Sequence, residues 1–507
     1  MENRGSYPPV QTGGQPTYGA IGTQPTPAAI HVEDPVPATG FGYSPQPPQQ
    51  TIPPTEGWFA RNQANKPQMN SAGAALFVLV TGGMNIAWSC GFDNVQNFTT
   101  DTHILICWYV AAIFGASVSA FITNRVLKKL IYIFSAFLIL IGGIFFVTLA
   151  DKYGGIATAR YLNGFAVGLV FVPMIVLIGE EVNSERRGLG AGILESGSIA
   201  LGIFLQIVFA ASFSHTTSSS NNSFGTTQLH GVIAIIYAVL TFVMSYFFVV
   251  ESPVHHLMHN NEHEAIDCLR RLQRPFVVTQ ETYQRLEEHK RYIEASDPNG
   301  DKGIPALVKL CLHRGLVALS FSPAITAALL WASTVYAEQF VTWPWLIYGL
   351  FLWLGTCIAA FSLDSVGRKK TLLIGALLSG ILAIAIGVIY NDFFNFFSSS
   401  KMGAVLYMLF VLGLFASFVN SASSAYLTEA FPLHLKPYYI ALPFIVEMFV
   451  LLIISACTPD KDGLATYFIT FGVFYLAFFI LGFFCLPETK HVSLQEAQSK
   501  FRNIFTR

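Results

Sequence analysis

Twelve times between residues 73 and 486 the chain runs for about twenty residues with almost no charge, each run long enough to cross roughly 30 Å of hydrocarbon as a helix. The runs fall near 73–93, 103–124, 130–150, 158–180, 189–212, 230–250, 315–337, 341–363, 371–391, 403–427, 438–457 and 463–486. They are continuous rather than alternating, which excludes the strands of a transmembrane barrel. Gly and Pro inside many of them are compatible with spanning helices, because neighbouring helices re-satisfy the freed backbone groups. Only 12% of the 507 residues are charged, half of what a soluble chain carries. The expectation is an all-α, multi-pass membrane protein of twelve transmembrane helices. A net charge of −1 provides no basic field for nucleic acid, and seven scattered cysteines give neither a disulfide framework nor a zinc spacing. No cofactor or metal is called for.

Residues 1–72 hold 13 of the 25 prolines among Gln, Gly and Thr, a composition that cannot bury a core and reads as a disordered tail. The tail lacks the basic and apolar regions of a signal peptide, so the first spanning helix is expected to act as the insertion signal. With both termini on the cytoplasmic side, 25 of the 29 basic residues fall on inner segments. The sequons at Asn97 and Asn221 then both lie in outer loops as candidate glycosylation sites. The longest inner loop, 251–314, divides the spans six and six. This gives an N-terminal half at 73–250, a cytoplasmic linker, a C-terminal half at 315–486 and a tail at 487–507. Within the linker, Glu262, Glu264, Ala265, Cys268, Leu269 and Leu272 have the spacing of an amphipathic helix.

The halves repeat their charges. Lys128-Lys129 after span two matches Arg368-Lys369 after span eight; Glu180 with Arg187 at the inner end of span four matches Glu429 with Lys436 at span ten. Parallel repeats about an axis normal to the membrane have this pattern. Acid and base placed so near the inner ends of paired helices can form ion pairs that close the inner mouth.

These residues also carry a resemblance. The Arg160…Gly164…Gly168 run, Glu180…Arg187-Gly188, Glu251-Ser252-Pro253, Asp364…Gly367-Arg368-Lys369, Glu429-Ala430-Phe431-Pro432…Lys436 and Pro487-Glu488-Thr489-Lys490 resemble the sugar porter family of the major facilitator superfamily. The resemblance covers about residues 73–496 and implies the major facilitator fold, a secondary transporter of a hexose or polyol working by alternating access, and a plasma-membrane location. It makes Glu180, Arg187, Glu251, Asp364, Arg368, Glu429, Lys436 and Glu488 the expected gate charges. It also implies that short cytoplasmic helices latch that gate.

The solute site departs from the family. Hexose transporters carry a Gln-Gln pair and an Asn on span seven; here Ser320–Tyr336 contains neither residue type, and the Gly-Pro-x-Pro-Trp of span ten is replaced by Asn420-Ser421-Ala422-Ser423-Ser424. Thr326, Trp331 and Ser333 on span seven, Asn420 on span ten and Gln206 on span five are the candidate solute contacts. Asn85, Trp88 and Ser89 on span one are further polar candidates, and Arg160 reads as a structural cation. Eight residues after Arg187, where the family has a sugar-contacting Gln, stands Glu195; eleven after Lys436, where it has an Asn, stands Glu447. At 1.5 Å per residue these carboxylates lie roughly 12 and 16 Å from the inner ring. A carboxylate there costs at least a few kcal/mol unless wet or paired. Two in equivalent places point to proton coupling or to a cationic solute; helix packing by protonated or hydrogen-bonded carboxyls is the bland alternative. The function classes left open are a transporter, with solute, lipid and protons as its partners, and a non-transporting nutrient sensor. An intramembrane enzyme lacks any metal or nucleophile signature.

Overall fold

A computed structural model describes residues 65–92, 101–213, 224–294, 296, 303–457 and 461–505. Asn97 and Asn221 lie outside these residues, as does most of the proline-rich tail. Among the described residues eleven helices are long and apolar enough to cross a membrane, and a pair bent by 53° makes a twelfth.

In the first half these are the bent pair α1 (Lys66–Ala72) and α2 (Leu76–Ser89), then α3 (Thr102–Ile122), α4 (Lys128–Thr148), α5 (Tyr153–Glu181), α6 (Arg187–Phe213) and α7 (Thr226–Phe248). Three short polar helices follow: α8 (Pro253–Met258), α9 (Glu262–Arg271) and α10 (Gln280–Glu294). The second half comprises the broken pair α11 (Ile304–Leu319) and α12 (Pro323–Ala337), then α13 (Trp343–Ser365), α14 (Arg368–Tyr390), α15 (Ser399–Glu429), α16 (Lys436–Ala456) and α17 (Lys461–Cys485). The helix α18 (Leu494–Arg502) closes the described chain. Helix α9 sits where the linker's amphipathic spacing puts one, with Ala265, Cys268 and Leu269 buried.

Within each half the helices pack through small residues. Gly83 on α2 and Gly202 on α6 lie against the carbonyls of Ile199 and Val80, positions a Cβ on either glycine would occupy. The halves meet along two seams related by the repeat, α3 on α16 and α6 on α13.

Three boundaries differ from the sequence reading. Residues 66–72, assigned to the tail, form α1, whose Ser71 hydroxyl accepts from the Val250 amide at 2.9 Å and whose Gln68 side chain accepts from the Asn183 amide at 3.0 Å. These bonds to distant backbone, rather than any apolar periodicity, hold the segment. The segment 487–507, assigned to a tail, contains α18, with Leu494, Ala497 and Phe501 buried on one face. Span seven begins at Ile304 instead of 315. It breaks at 320–322, where Ser322 caps α12 by accepting from the Ala324 amide at 3.1 Å and Pro323 takes the first helical position. The carbonyls freed by the break are claimed by Tyr467, whose hydroxyl donates to Leu319 at 2.5 Å, and by Tyr475, which donates to Leu316 at 3.2 Å.

Candidate functional site

Moving the start of span seven to Ile304 carries Arg314 from the linker into the bundle, ten residues along α11. Arg314 is fully buried and meets both intramembrane glutamates. Its Nη1 donates to Glu195 Oε1 at 3.0 Å and to Glu447 Oε2 at 3.0 Å, one N–H for each. Nη2 reaches Ser424 Oγ at 3.4 Å, and the guanidinium lies 5.6 Å from the Phe171 ring centre. Ser424 also bonds Glu195 Oε2, as does Ser196 at 2.8 Å. Glu195 sits in a π-helical turn, Gly192–Gly197, that widens α6 and turns the carboxylate toward the seam. The triad spans the halves unequally: Glu195 belongs to the first, while Arg314, Glu447 and Ser424 belong to the second.

Of the alternatives the two glutamates leave open, a cationic solute would meet a guanidinium already lying between them. Sequence reasoning counted Arg314 as one more inner-loop cation. The signal that identifies it is the unbroken helical run Ile304–Leu319, opened by Pro305 and apolar apart from Lys309, His313 and Arg314.

At the charged end of the bundle the acid and base of each repeat pair across the halves. Lys436 Nζ lies 3.1 Å from Glu180 Oε1, and Arg187 Nη1 lies 3.8 Å from Glu429 Oε1; all four groups are buried. Ser252 donates to Glu180 at 2.5 Å, and Asp364 accepts from the Leu189 amide at 2.7 Å, a further link between halves. Arg368 stays within the second half, on Glu429 at 3.0 Å and Asp364 at 3.2 Å. Glu251 and Glu488, expected as gate charges, also keep to their own halves. Glu251 accepts from the Lys128 amide at 3.0 Å and pairs with its Nζ; Glu488 accepts from the Arg368 amide at 3.0 Å and the Lys369 amide at 3.2 Å. Both carboxylates thus cap equivalent helices, α4 and α14, at their positive ends.

The short helices cover this ring. Tyr292 of α10 has its ring 5.9 Å from Lys436 Nζ, and Gln498 of α18 ties the Tyr292 hydroxyl to the Phe431 carbonyl. Between ring and helices lies a cavity of about 350 Å³, lined by Glu180, Glu181, Arg187, His289 and Tyr292 among others. Burial pushes the His289 imidazole down to about 4 against the pull of Glu180, with Arg285 and Arg187 adding to the fall.

The remaining candidates do not converge on the triad. Asn420 is closest, one helical turn before Ser424, buried and with no hydrogen bond to its Oδ1. Trp331 donates to the Phe396 carbonyl at 3.2 Å, Ser333 to its own helix at Leu330, and Thr326 lies beside Gly91 near the opposite end of the bundle. Gln206, a candidate solute contact on span five, is wholly buried and bonded to His230 and to the Phe92 carbonyl. Arg160 lies over the Trp88 ring and bonds Asn85, Ser89 and the Ile104 carbonyl, so those span-one candidates serve the cation.

A family model described as "Sugar (and other) transporter" matches residues 75–501. Hexose transporter 1 of Plasmodium knowlesi is 23% identical over 447 residues, covering 82% of this chain and 88% of its own. D-xylose-proton symporter-like 2 of Arabidopsis thaliana is 23% identical over 415 residues, covering 77% and 79%. The solved proton:xylose symporter XylE of E. coli, bound to 6-bromo-6-deoxy-D-glucose, superposes with a TM-score of 0.71 at 18% identity, over 86% of this chain and 99% of that one.

Proposed function

The chain belongs to the sugar (and other) transporter family, and from that premise we propose that it carries a hexose or polyol across the plasma membrane with a proton, using the Glu195–Arg314–Glu447 triad as the coupling element. The fold is that of a multi-pass secondary transporter of the major facilitator superfamily, and neither fold nor family is that of an enzyme. Relatives named as a hexose transporter and as a xylose-proton symporter supply the solute class and the proton.

The observation that carries the coupling is the division of the triad between halves. With the charged face taken as cytoplasmic, opening the inner mouth draws α6 away from α11, α15 and α16. Glu195 then loses Arg314 and Ser424 together, whereas Glu447 keeps Arg314. The closed triad, two carboxylates on one guanidinium, bears a net negative charge unless one proton joins it, and burial of net charge is costly. Entry of a proton favours the closed triad; hydration of the freed Glu195 favours release to the cytoplasm. Asn420 offers the solute a free carbonyl acceptor one turn from the triad.

The test is uptake by purified protein in liposomes, over a panel of hexoses, polyols and an organic cation at two external pH values, with Glu195→Gln and Glu447→Gln alongside. Sugar uptake that rises on external acidification in the parent and loses that response in Glu195→Gln supports the reading. Uptake indifferent to pH removes the coupling role, and absence of any uptake turns the reading toward a nutrient sensor.

A further inference from the structure

The transporter reading leaves unused a buried polar chain in the first half, at the end of the bundle away from the charged ring. Arg160 Nη1 donates to Asn85 Oδ1 at 3.3 Å; Asn85 Nδ2 lies 3.4 Å from His230 Nε2; His230 Nδ1 lies 2.8 Å from Gln206 Oε1; Gln206 Nε2 donates to the Phe92 carbonyl at 2.8 Å. The four side chains come from α5, α2, α7 and α6, and each is fully buried.

The polarity of this chain is forced from both ends. A guanidinium only donates, so Asn85 must present its oxygen to Arg160 and its NH₂ to His230. An amide NH₂ only donates, so Nε2 of His230 must be bare, which places the ring proton of a neutral imidazole on Nδ1. That proton goes to Gln206 Oε1, leaving the Gln206 NH₂ to meet the Phe92 carbonyl, which only accepts. All four bonds therefore run in one direction. A doubly protonated ring would set Nε2–H against Asn85 Nδ2–H.

The far end of the chain is at a seam between the halves. The Phe92 ring meets Trp345 of α13 edge-on at 5.6 Å between centres, and the neighbouring Cys90 Sγ donates to the Phe321 carbonyl at 3.5 Å, in the break of span seven. Phe92 follows the last turn of α2, its amide bonded to the Ala87 carbonyl at 3.1 Å and its carbonyl held from the side by Gln206.

We infer that His230 is a positioning residue for the gate at this end of the bundle: as a neutral relay it fixes Gln206, and Gln206 holds Phe92 against Trp345. The inference adds a second, uncharged closure to the ion-paired one and does not depend on which solute moves.

The test uses full-length protein in detergent, where a maleimide reaches both faces, with Cys90 retained and the other six cysteines changed to serine. The reagent's rate at Cys90 reports the closure directly. His230→Phe removes the relay and is expected to raise that rate roughly fivefold, about one hydrogen bond's worth. His230→Gln, whose amide can accept from Asn85 and donate to Gln206, is expected to restore the parent rate. Gln206→Leu cuts the chain one link further on and is expected to match His230→Phe; it decides the matter should His230→Phe fail to fold. A parent-like rate in Gln206→Leu, or a rate in His230→Gln as high as in His230→Phe, overturns the assignment.

Discussion

Replacing Arg314 by methionine keeps a long apolar stem and removes the guanidinium that two carboxylates share. Each carboxylate lies 3.0 Å from the same nitrogen, so the facing oxygens are no more than about 6 Å apart. At an effective dielectric constant near 20 their repulsion is then at least about 2.8 kcal/mol. Taking up a proton on one carboxyl relieves that repulsion instead, at a cost that falls with pH. That lower bound lies just under the range of about 3–5 kcal/mol typical for stripping one partner from a buried ion pair. Arg314→Met should therefore lose about that much stability near pH 7. The loss should shrink on acidification, because the missing charge is then replaced by a proton. Thermal unfolding in detergent at pH 5 and pH 7.5, followed by tryptophan fluorescence, measures both. The variant Glu195→Gln/Arg314→Met/Glu447→Gln has no charge to strand and should regain most of the loss. An Arg314→Met protein that unfolds like the parent at pH 7.5, or whose deficit is the same at both pH values, refutes the triad.

Three further outcomes are expected. Lys436→Gln leaves the buried Glu180 with Ser252 but without its ion-pair partner and should weaken closure of the charged end by about 3 kcal/mol, seen as faster labelling of a cysteine at Ser184; exchanging the pair as Glu180→Lys/Lys436→Glu should slow it again. Gly367 has φ +121° and the Glu488 carboxylate where a Cβ would stand, so Gly367→Ala should cost about 1–3 kcal/mol in thermal unfolding and detach the cap of α14. His289 is held down to about 4 against about 6.5 when free, so the docked α10 favours the neutral ring: its contribution is present above about pH 6.5 and is lost as pH falls toward 4. Protection of Gln280–Glu294 against hydrogen exchange, taken relative to the intrinsic rate at each pH, should fall across that window in the parent but not in His289→Gln.

The sequence makes the spans legible because lipid admits one backbone solution, and apolar runs of the right length leave little choice. The repeated charges likewise announce their ring. They do not announce how they pair: acid and base of one repeat stand seven residues apart, yet Glu180 bonds Lys436 and Glu429 lies in ion-pair range of Arg187, a crossing that only the meeting of the halves creates. Glu195 and Glu447 were legible as anomalies of depth. Their partner was not, because Arg314 closes a stretch rich in charged residues, and a twenty-residue window places the span after it. The relay through His230 was illegible for another reason. Its members sit on four helices, and nothing in their spacing marks amides and an imidazole as one chain.

The crossed pairs bear on how such a molecule can cycle. An ion pair withdrawn from water regains in attraction little more than its desolvation costs, so each of these links holds the closed face only modestly against an opening that rehydrates both partners. A closure built from apolar side chains would lack that compensation, since exposing them offers no return in hydration. Lys436–Glu180, Arg187–Glu429, the Leu189–Asp364 bond and the Glu195 arm of the triad must all part when the halves separate. Because rigid halves part as units, these losses arrive together, and a small change at one link acts on the whole equilibrium. On the proposed coupling, a proton arriving at the triad changes one of those links, which is the differential stabilisation that proton entry needs in order to move the closed–open balance.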